Sequence, residues 1–138
     1  MKTLLAIAIC AATLPQALQA EGVTLTVEGL RNDRGNVLIA VFDQARAFDR
    51  LNFETAVDLA EIPAQMGQVK HQFPTLTSGP YAIFLFHDEN SNEDIDHVAN
   101  TLLEGIGASG APNPKDEPNF AQASFLPGSV RVRVHYDQ

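Results

Sequence analysis

The stretch YAIFLF at residues 81–86 is the strongest strand signal in the chain. Its six apolar residues stand in a row and end at once in His87 and Asp88. A second run, NVLIAVF at residues 36–42, is apolar on both faces, which is typical of a central strand covered on both sides. The segment VRVRVHY at residues 130–136 alternates strictly, so we expect its valines and tyrosine to face a core and its arginines and histidine to face outward.

Shorter strand signals and turns lie between these segments. The first two strands are predicted to form a hairpin, and residues 43–52 to form a loop with a helical turn. About seven short strands separated by turn residues favour an all-β fold, an antiparallel immunoglobulin-like or transthyretin-like β-sandwich. Residues 89–119, rich in Asn, Asp, Gly and Pro, are expected to form one long loop region. The remaining predicted strands are residues 23–28, 56–62, 68–73 and 121–125.

The first twenty residues have the pattern of a secretory signal peptide. Lys2 precedes a short apolar run, and small residues lead up to Ala20. The run is too short to cross a bilayer, which takes roughly 20 apolar residues. We therefore predict cleavage of residues 1–20, a single domain at residues 21–138, and a periplasmic or secreted location. Cys10, the single cysteine, would leave with the signal, so the mature chain would form no disulfide.

The charge of the mature chain argues against some partners. Loss of Lys2 leaves 9 − 1 = 8 basic residues against 17 acidic ones, a net charge of −9 with neutral histidines. That sign repels nucleic acid and anionic lipid and suits attraction to cations. We expect no nucleic-acid partner and no membrane span. Another envelope protein or a small ligand is the expected partner, and the sequence does not predict an oligomeric state.

The segment directly after the strongest strand carries the clearest chemical pattern. Oxygen-bearing side chains fall at every second residue, as in a loop that curls around a hard cation, and the opening matches D-x-[DN]-x-[DN] calcium loops. Glu93 stands where glycine normally makes the sharp turn, and Ala99 stands where the closing glutamate would be. Glu104 or another distant residue would then have to close the shell. The predicted calcium ligands are Asp88, Asn90, Asn92, Asp94 through its backbone carbonyl, and Asp96.

Other interpretations of this loop stay open. Asp and Asn side chains readily bond to their own backbone, so the segment could be a solvated turn without an ion. His87 and His97 flank the loop and raise zinc or copper, although no third partner is in view. An enzymatic hypothesis would pair His87 with Asp88 or Glu104 as acid and base beside a pocket. We expect no enzyme, because Ser109 lacks the G-x-S-x-G spacing and an apparent base.

Several motifs together resemble a known family. They are G-N-V at residues 35–37, V-F-D at 41–43, F-x-x-L-x-x-G-x-Y-A at 73–82, H-D-E-N-x-N-x-x-x-D at 87–96, E-G-x-G-x-S at 104–109 and P-x-F-x-x-A-x-F at 118–125. The chain is similar in these motifs to the secreted bacterial family called domain of unknown function 2141. The resemblance implies a single exported β-domain and no established activity. The family loop usually has glycine where this chain has Glu93, and proline where it has Leu103.

Two functional hypotheses follow from these observations. The first is an exported, non-enzymatic β-sandwich whose acidic loop binds calcium and orders the segment after it. The second is a metal-independent ligand- or protein-binding module that uses the loop after Asp88 and the tract up to Asn119. The second hypothesis predicts an exposed apolar patch around Leu102, Leu103 and Ile106.

Overall fold

The computed structural model describes residues 21–137, so the predicted signal peptide lies outside the described residues. Strands dominate this part of the chain, as the sequence predicts. The strands are β1 (Val23–Leu30), β2 (Asn36–Phe42), β3 (Asp58–Pro63), β4 (Gly67–Phe73), β5 (Ala82–Asp88), β6 (His97–Val98), β7 (Thr101–Leu102), β8 (Gly105–Ala108) and β9 (Gly128–Arg133). The helices are α1 (Ala45–Asp49), α2 (Phe120–Ala123) and a 3-10 turn at Phe53–Thr55.

Seven of the strands build two sheets, and six of these seven correspond to predicted strands, the exception being β8. One sheet has the order β4-β1-β9 and the other has the order β3-β2-β5-β8, while β6 and β7 form a small hairpin of their own. The neighbouring strands of the four-stranded sheet are antiparallel. In the three-stranded sheet β1 is antiparallel to β4 but parallel to β9, which departs from the predicted all-antiparallel arrangement.

The predicted hairpin between the first two strands is wrong. β1 and β2 belong to different sheets, and the turn between them carries the chain from one sheet to the other. The reason is burial: Leu25 and Val27 of β1 pack with Val37 and Ile39 of β2 in one core cluster, which two neighbours in one sheet could not enclose between them. Each strand thus supplies one side of the same core.

β5 supplies both faces of the four-stranded sheet. Ile83 and Leu85 join the core cluster shared by the two sheets, whereas Phe84 and Phe86 join a second cluster on the opposite face. All seven residues of this strand are buried, as expected for a continuous apolar run covered on both sides. Phe48 of α1 and Ala123 of α2 belong to the second cluster, so the two helices cover part of the outer face of the sheet.

Two predictions about the second half of the chain need correction. The sequence predicts a strand at residues 121–125, but α2 occupies most of them, because Asn119 and Gln122 form a capping box that starts a helix. Phe125 alone keeps strand character, in an isolated bridge with Tyr81. The predicted long loop at residues 89–119 is interrupted by β6, β7 and β8, and β8 pairs with β5.

Candidate functional site

The predicted calcium ligand Asp88 is the last residue of β5 and is fully buried. One carboxylate oxygen accepts the backbone N–H of Asn92 at 3.1 Å, and the other accepts that of Glu93 at 2.9 Å. A buried carboxylate needs such donors, because leaving a buried polar group without hydrogen bonds costs about 1–3 kcal/mol of folding free energy, and more when the group is charged. Asp88 therefore holds the following turn in place through the protein's own amides.

Three other predicted ligands converge on one another. The side-chain nitrogen of Asn90 donates to Asp96 at 2.6 Å, and that of Asn92 donates to both carboxylate oxygens at 3.0 and 3.1 Å. The side-chain oxygens of the two Asn residues accept the backbone N–H of Asn92 and Asp94, respectively. The structure thus brings Asn90, Asn92 and Asp96 into one hydrogen-bonded turn, which we call the acidic turn together with Asp88.

Asp94, the fifth predicted ligand, takes part differently. Its backbone N–H is bound by Asn92, and its exposed side chain lines a groove described below. Ser91 and Glu93 adopt left-handed backbone conformations, with φ of 58° and 63°. Glu93 thus has a backbone conformation that usually favours glycine, and it stands at the position where calcium loops have a glycine.

Glu104 closes the acidic turn from a distance, and it is almost fully buried. Its two oxygens accept the backbone N–H of Glu89 at 3.1 Å and of Asp96 at 3.3 Å. Burial raises the pKa of Glu104 above its ordinary value, and the negative charges of Asp88 and Asp96 act in the same direction. These effects outweigh the two backbone hydrogen bonds, which lower the pKa.

The oxygens of the acidic turn are occupied by protein donors. Within residues 21–137, no three histidine, cysteine, aspartate or glutamate side chains are grouped closely enough to hold a metal ion. A calcium ion would need the amides of Asn90 and Asn92 to rotate, so that their oxygens rather than their nitrogens face Asp96. Calcium binding stays a prediction.

His87 is fully buried beside the acidic turn, but its side chain is committed elsewhere. Its Nε2 lies 2.7 Å from the carbonyl oxygen of Arg34 and must donate to it, so in the neutral ring Nδ1 accepts from the Tyr136 hydroxyl at 2.8 Å. Burial raises the pKa of Tyr136, which keeps the hydroxyl protonated. Consecutive residues of a strand point to opposite faces, so His87 and Asp88 do not form an acid–base pair. His97 is exposed, and its Nδ1 lies 3.4 Å from the carbonyl oxygen of Ile95.

Glu89 forms an ion-pair cluster that the sequence did not reveal. Its carboxylate accepts Arg31 Nε at 2.6 Å and Asn32 Nδ2 at 3.1 Å, and it also pairs with Arg34. Burial alone would raise the pKa of Glu89, but the hydrogen bonds from Asn32 and Arg31 and the Arg31 charge outweigh burial and lower it. Arg31 also donates to the carbonyl of Leu103. The cluster ties the turn after β1 to the beginning of the acidic turn.

A groove lies on the outer face of the four-stranded sheet, beside the part that α1 and α2 cover. It has a volume of about 580 Å³, and we call it the sheet-face groove. Two of its apolar lining residues are open to solvent, since Leu59 is 60 % exposed and Phe53 is 40 % exposed. The two-faced pattern of β2 was a signal for an apolar outer face, but not for its being left open. The lining residues are Leu38, Ile39, Ala40, Phe53, Leu59, Ala60, Glu61, Phe84, Phe86, Glu93, Asp94 and Ile95.

A second groove, of about 860 Å³, lies between the sheet and the tract up to Asn119. Leu102 and Ile106 line it and are half-buried, and Ile106 packs against the second core cluster. Leu103 is exposed but is not part of the lining. The predicted patch of these three residues is therefore split between a groove wall and the surface.

Comparison with known proteins gives a family but no characterised relative. No curated protein and no solved structure matches the chain. None of the helices within residues 21–137 is long and apolar enough to cross a membrane. The family model described as an uncharacterised protein conserved in bacteria (DUF2141) matches residues 25–134, which covers both sheets and the acidic turn. The chain therefore belongs to the DUF2141 family of bacterial proteins, as its sequence motifs predict.

Proposed function

We propose that this chain is exported and that its mature domain is a non-enzymatic binding module, which takes an apolar ligand in the sheet-face groove and needs no metal to do so. The observation that carries the proposal is the open apolar wall of that groove. Its volume of about 580 Å³ falls in the range of roughly 300–1,000 Å³ that is usual for small-molecule sites. The export step rests on the signal-peptide pattern of residues 1–20.

The exposed walls support a ligand because the rest of the same sheet face is covered. Phe42 and Phe48 are buried in the second core cluster, where α1 and α2 pack against the sheet. Beyond the cover, Leu59 remains 60 % exposed at the edge strand β3. Contiguous apolar surface in a concave site is typical of ligand-binding grooves, whereas single exposed apolar residues are common on any surface.

The test uses Nile red, a neutral apolar dye whose fluorescence rises in an apolar site. We expect the mature domain to bind the dye and the variant Leu59→Ser to bind it several-fold more weakly. Full burial of a leucine side chain contributes about 1.5–3 kcal/mol, and the dye would cover only part of this side chain. Leu126→Ser is the matched control, because Leu126 is 70 % exposed and lies outside the groove lining. Equal loss in both variants, or no dye binding by the folded domain, would contradict the proposal.

Calcium binding at the acidic turn is a second candidate function. The observation in its favour is the crowding of negative charge, because burial and the charges of Asp88 and Asp96 raise the pKa of Glu104. A cation near these groups would relieve that repulsion. Outside the cytoplasm, a site with a dissociation constant on the order of 0.1–1 mM would fill, and filling would stabilise the fold.

The calcium test compares thermal unfolding of the mature domain in calcium and in chelator. We expect a higher midpoint in calcium, and we expect Asp96→Asn to remove most of the difference while Asp116→Asn retains it. Asp116 is an exposed acid whose carboxylate binds a loop N–H outside the acidic turn. Equal midpoints for the unmodified domain would exclude a stabilising calcium ion.

Export and the finer fold assignment are proposals of the same kind. Intact mass measurement of the protein from its native host should show loss of about 20 residues, and an uncleaved chain would contradict export.

We also propose that the fold is an immunoglobulin-like or transthyretin-like sandwich, supported by two sheets that share one core. A solved structure with a strand order unlike either type would overturn that assignment.

A further inference from the structure

We infer that the ligand of the sheet-face groove is a cationic amphiphile, a small molecule in which an alkyl chain carries an ammonium group. This inference rests on the proposed binding function and names the ligand class. The lining combines an apolar floor with three acidic side chains, those of Glu61, Glu93 and Asp94. Among the described residues, the lining includes no lysine or arginine.

The three acids stand on different parts of the groove wall. Glu61 belongs to the edge strand β3, whereas Glu93 and Asp94 belong to the turn after β5, and all three are exposed. Two separate chain segments thus place negative charge at the opening of one groove. Carboxylates from these two segments would lie near a cationic head group.

The charges of these acids are not neutralised within the described part of the chain. The ion pairs of residues 21–137 use Glu28 and Glu89, and neither residue lines the groove. Glu61 accepts a hydrogen bond of 2.7 Å from the neutral amide of Asn36. The groove opening therefore has a net negative potential, which favours a cation and disfavours an anion.

The apolar floor of the groove favours an alkyl chain as the uncharged part of the ligand. Leu38 is half-buried at the floor, and the rings of Phe84 and Phe86, which are 8 % and 6 % exposed, complete the floor beside it. An alkyl chain would cover this apolar surface without leaving polar groups unpaired. Phe53 is 40 % exposed at the same groove, and an aromatic face also attracts a cation such as an ammonium group. A fatty-acid anion would have the same apolar contacts, but its carboxylate would lie against three others.

The experiment measures displacement of Nile red by three amphiphiles with the same dodecyl chain and different heads, namely trimethylammonium, maltoside and sulfate. The mature domain is used with chelator present, and each amphiphile is kept below its micelle concentration. We expect the cation to bind about tenfold more tightly than the neutral maltoside, with the sulfate weakest. This preference should shrink when the salt concentration is raised to about 0.5 M.

Charge variants locate the effect. In Glu93→Gln/Asp94→Asn the ratio of cation to maltoside affinity should fall toward one, and Glu61→Gln on β3 should lower it independently. The control Asp33→Asn/Glu117→Gln also removes two negative charges, but from residues outside the groove lining, and it should keep the affinity ratio unchanged. A ratio that falls only in the control would place the cation elsewhere and overturn the inference.

The outcomes separate this inference from the proposed function. If Nile red binding is absent or insensitive to Leu59→Ser, the groove does not bind ligands and both proposals fail. If the dye binds in the groove but the three amphiphiles compete equally, or the sulfate competes best, only the cationic assignment fails. Competition by a protein partner with no amphiphile binding would likewise overturn it.

Discussion

Gly35 lies so close to Asp88 that a Cβ built on the glycine would stand 1.9 Å from the Asp88 carbonyl oxygen. The neighbouring residue Asn36 pairs with Asp88 at the ends of β2 and β5. The turn that carries the chain between the two sheets is therefore seated directly on the strand end from which the acidic turn begins. Gly35 also needs the left-handed conformation, with φ of 62°.

The first prediction concerns this close approach. Gly35→Ala should lower the free energy of unfolding by about 3 kcal/mol or more, because the new methyl group would overlap backbone atoms that cannot move aside. Gly67→Ala is the control, since Gly67 also has a positive φ but has open space around it, and it should cost only about 1–2 kcal/mol. Urea denaturation measures both. Equal costs would show that strand ends β2 and β5 can separate at this point.

The second prediction concerns the Glu89 cluster. Glu89→Gln should destabilise the domain by about 1–3 kcal/mol at neutral pH, because it removes the charge that Arg31, Asn32 and Arg34 bind. Glu28→Gln, which breaks the more exposed pair with Arg131, should cost at most about 1 kcal/mol.

The lowered pKa of Glu89 gives this prediction a pH dependence. A carboxylate with a lowered folded pKa stabilises the fold above its ordinary value of 4.5 and loses that contribution as the pH falls through the folded value. Chemical denaturation should therefore show a smaller cost of Glu89→Gln near pH 3 than near pH 7. A cost that does not change between these conditions would mean that the charge of Glu89 is unimportant.

The third prediction concerns Glu104, whose contribution to stability should change with pH in the opposite direction to that of Glu89. A carboxyl group with a raised folded pKa contributes stability below its ordinary value of 4.5, and that contribution is lost as the pH rises through the folded value. The stability of the unmodified domain relative to Glu104→Gln should therefore decrease between about pH 4 and pH 7 in chelator. Thermal unfolding across this range checks it, and an increase would contradict the assignment.

The fourth prediction concerns the hydroxyl of Tyr136. It accepts the backbone N–H of Arg31 at 3.2 Å and donates to the buried His87. Tyr136→Phe should lower the free energy of unfolding by about 1–3 kcal/mol, because a buried ring nitrogen would lose its partner. Tyr81→Phe serves as the control, since its hydroxyl bonds to Ser78, an exposed residue. Urea denaturation should give the smaller loss for Tyr81→Phe.

The acidic turn could be located from the sequence but its internal bonding could not. Alternate Asp and Asn residues after a strand indicate a turn with many oxygens, and Asn90, Asn92 and Asp96 do meet. That Asp88 and Glu104 are occupied by backbone amides depends on how residues 89–104 fold back toward β5. Glu89 and its arginine partner are separated by 58 positions, and a pairing of that kind has no local signature in the chain.

The sequence by itself determined the family, the residues of β2 and most of those of β1 and β5, because the pattern of apolar side chains is a property of each segment alone. The predicted strand at residues 130–136 overlaps β9 only at residues 130–133. The sequence also placed the two-faced apolar strand at residues 36–42 at the centre of a sheet. Only the tertiary structure decided that β1 lies between β4 and β9, that residues 120–123 form a helix, and that the outer face stays open beside Leu59. These features depend on contacts between segments far apart in the chain. The free energy of such contacts depends on which apolar surfaces bury one another in the folded domain, and no single segment of the sequence specifies that.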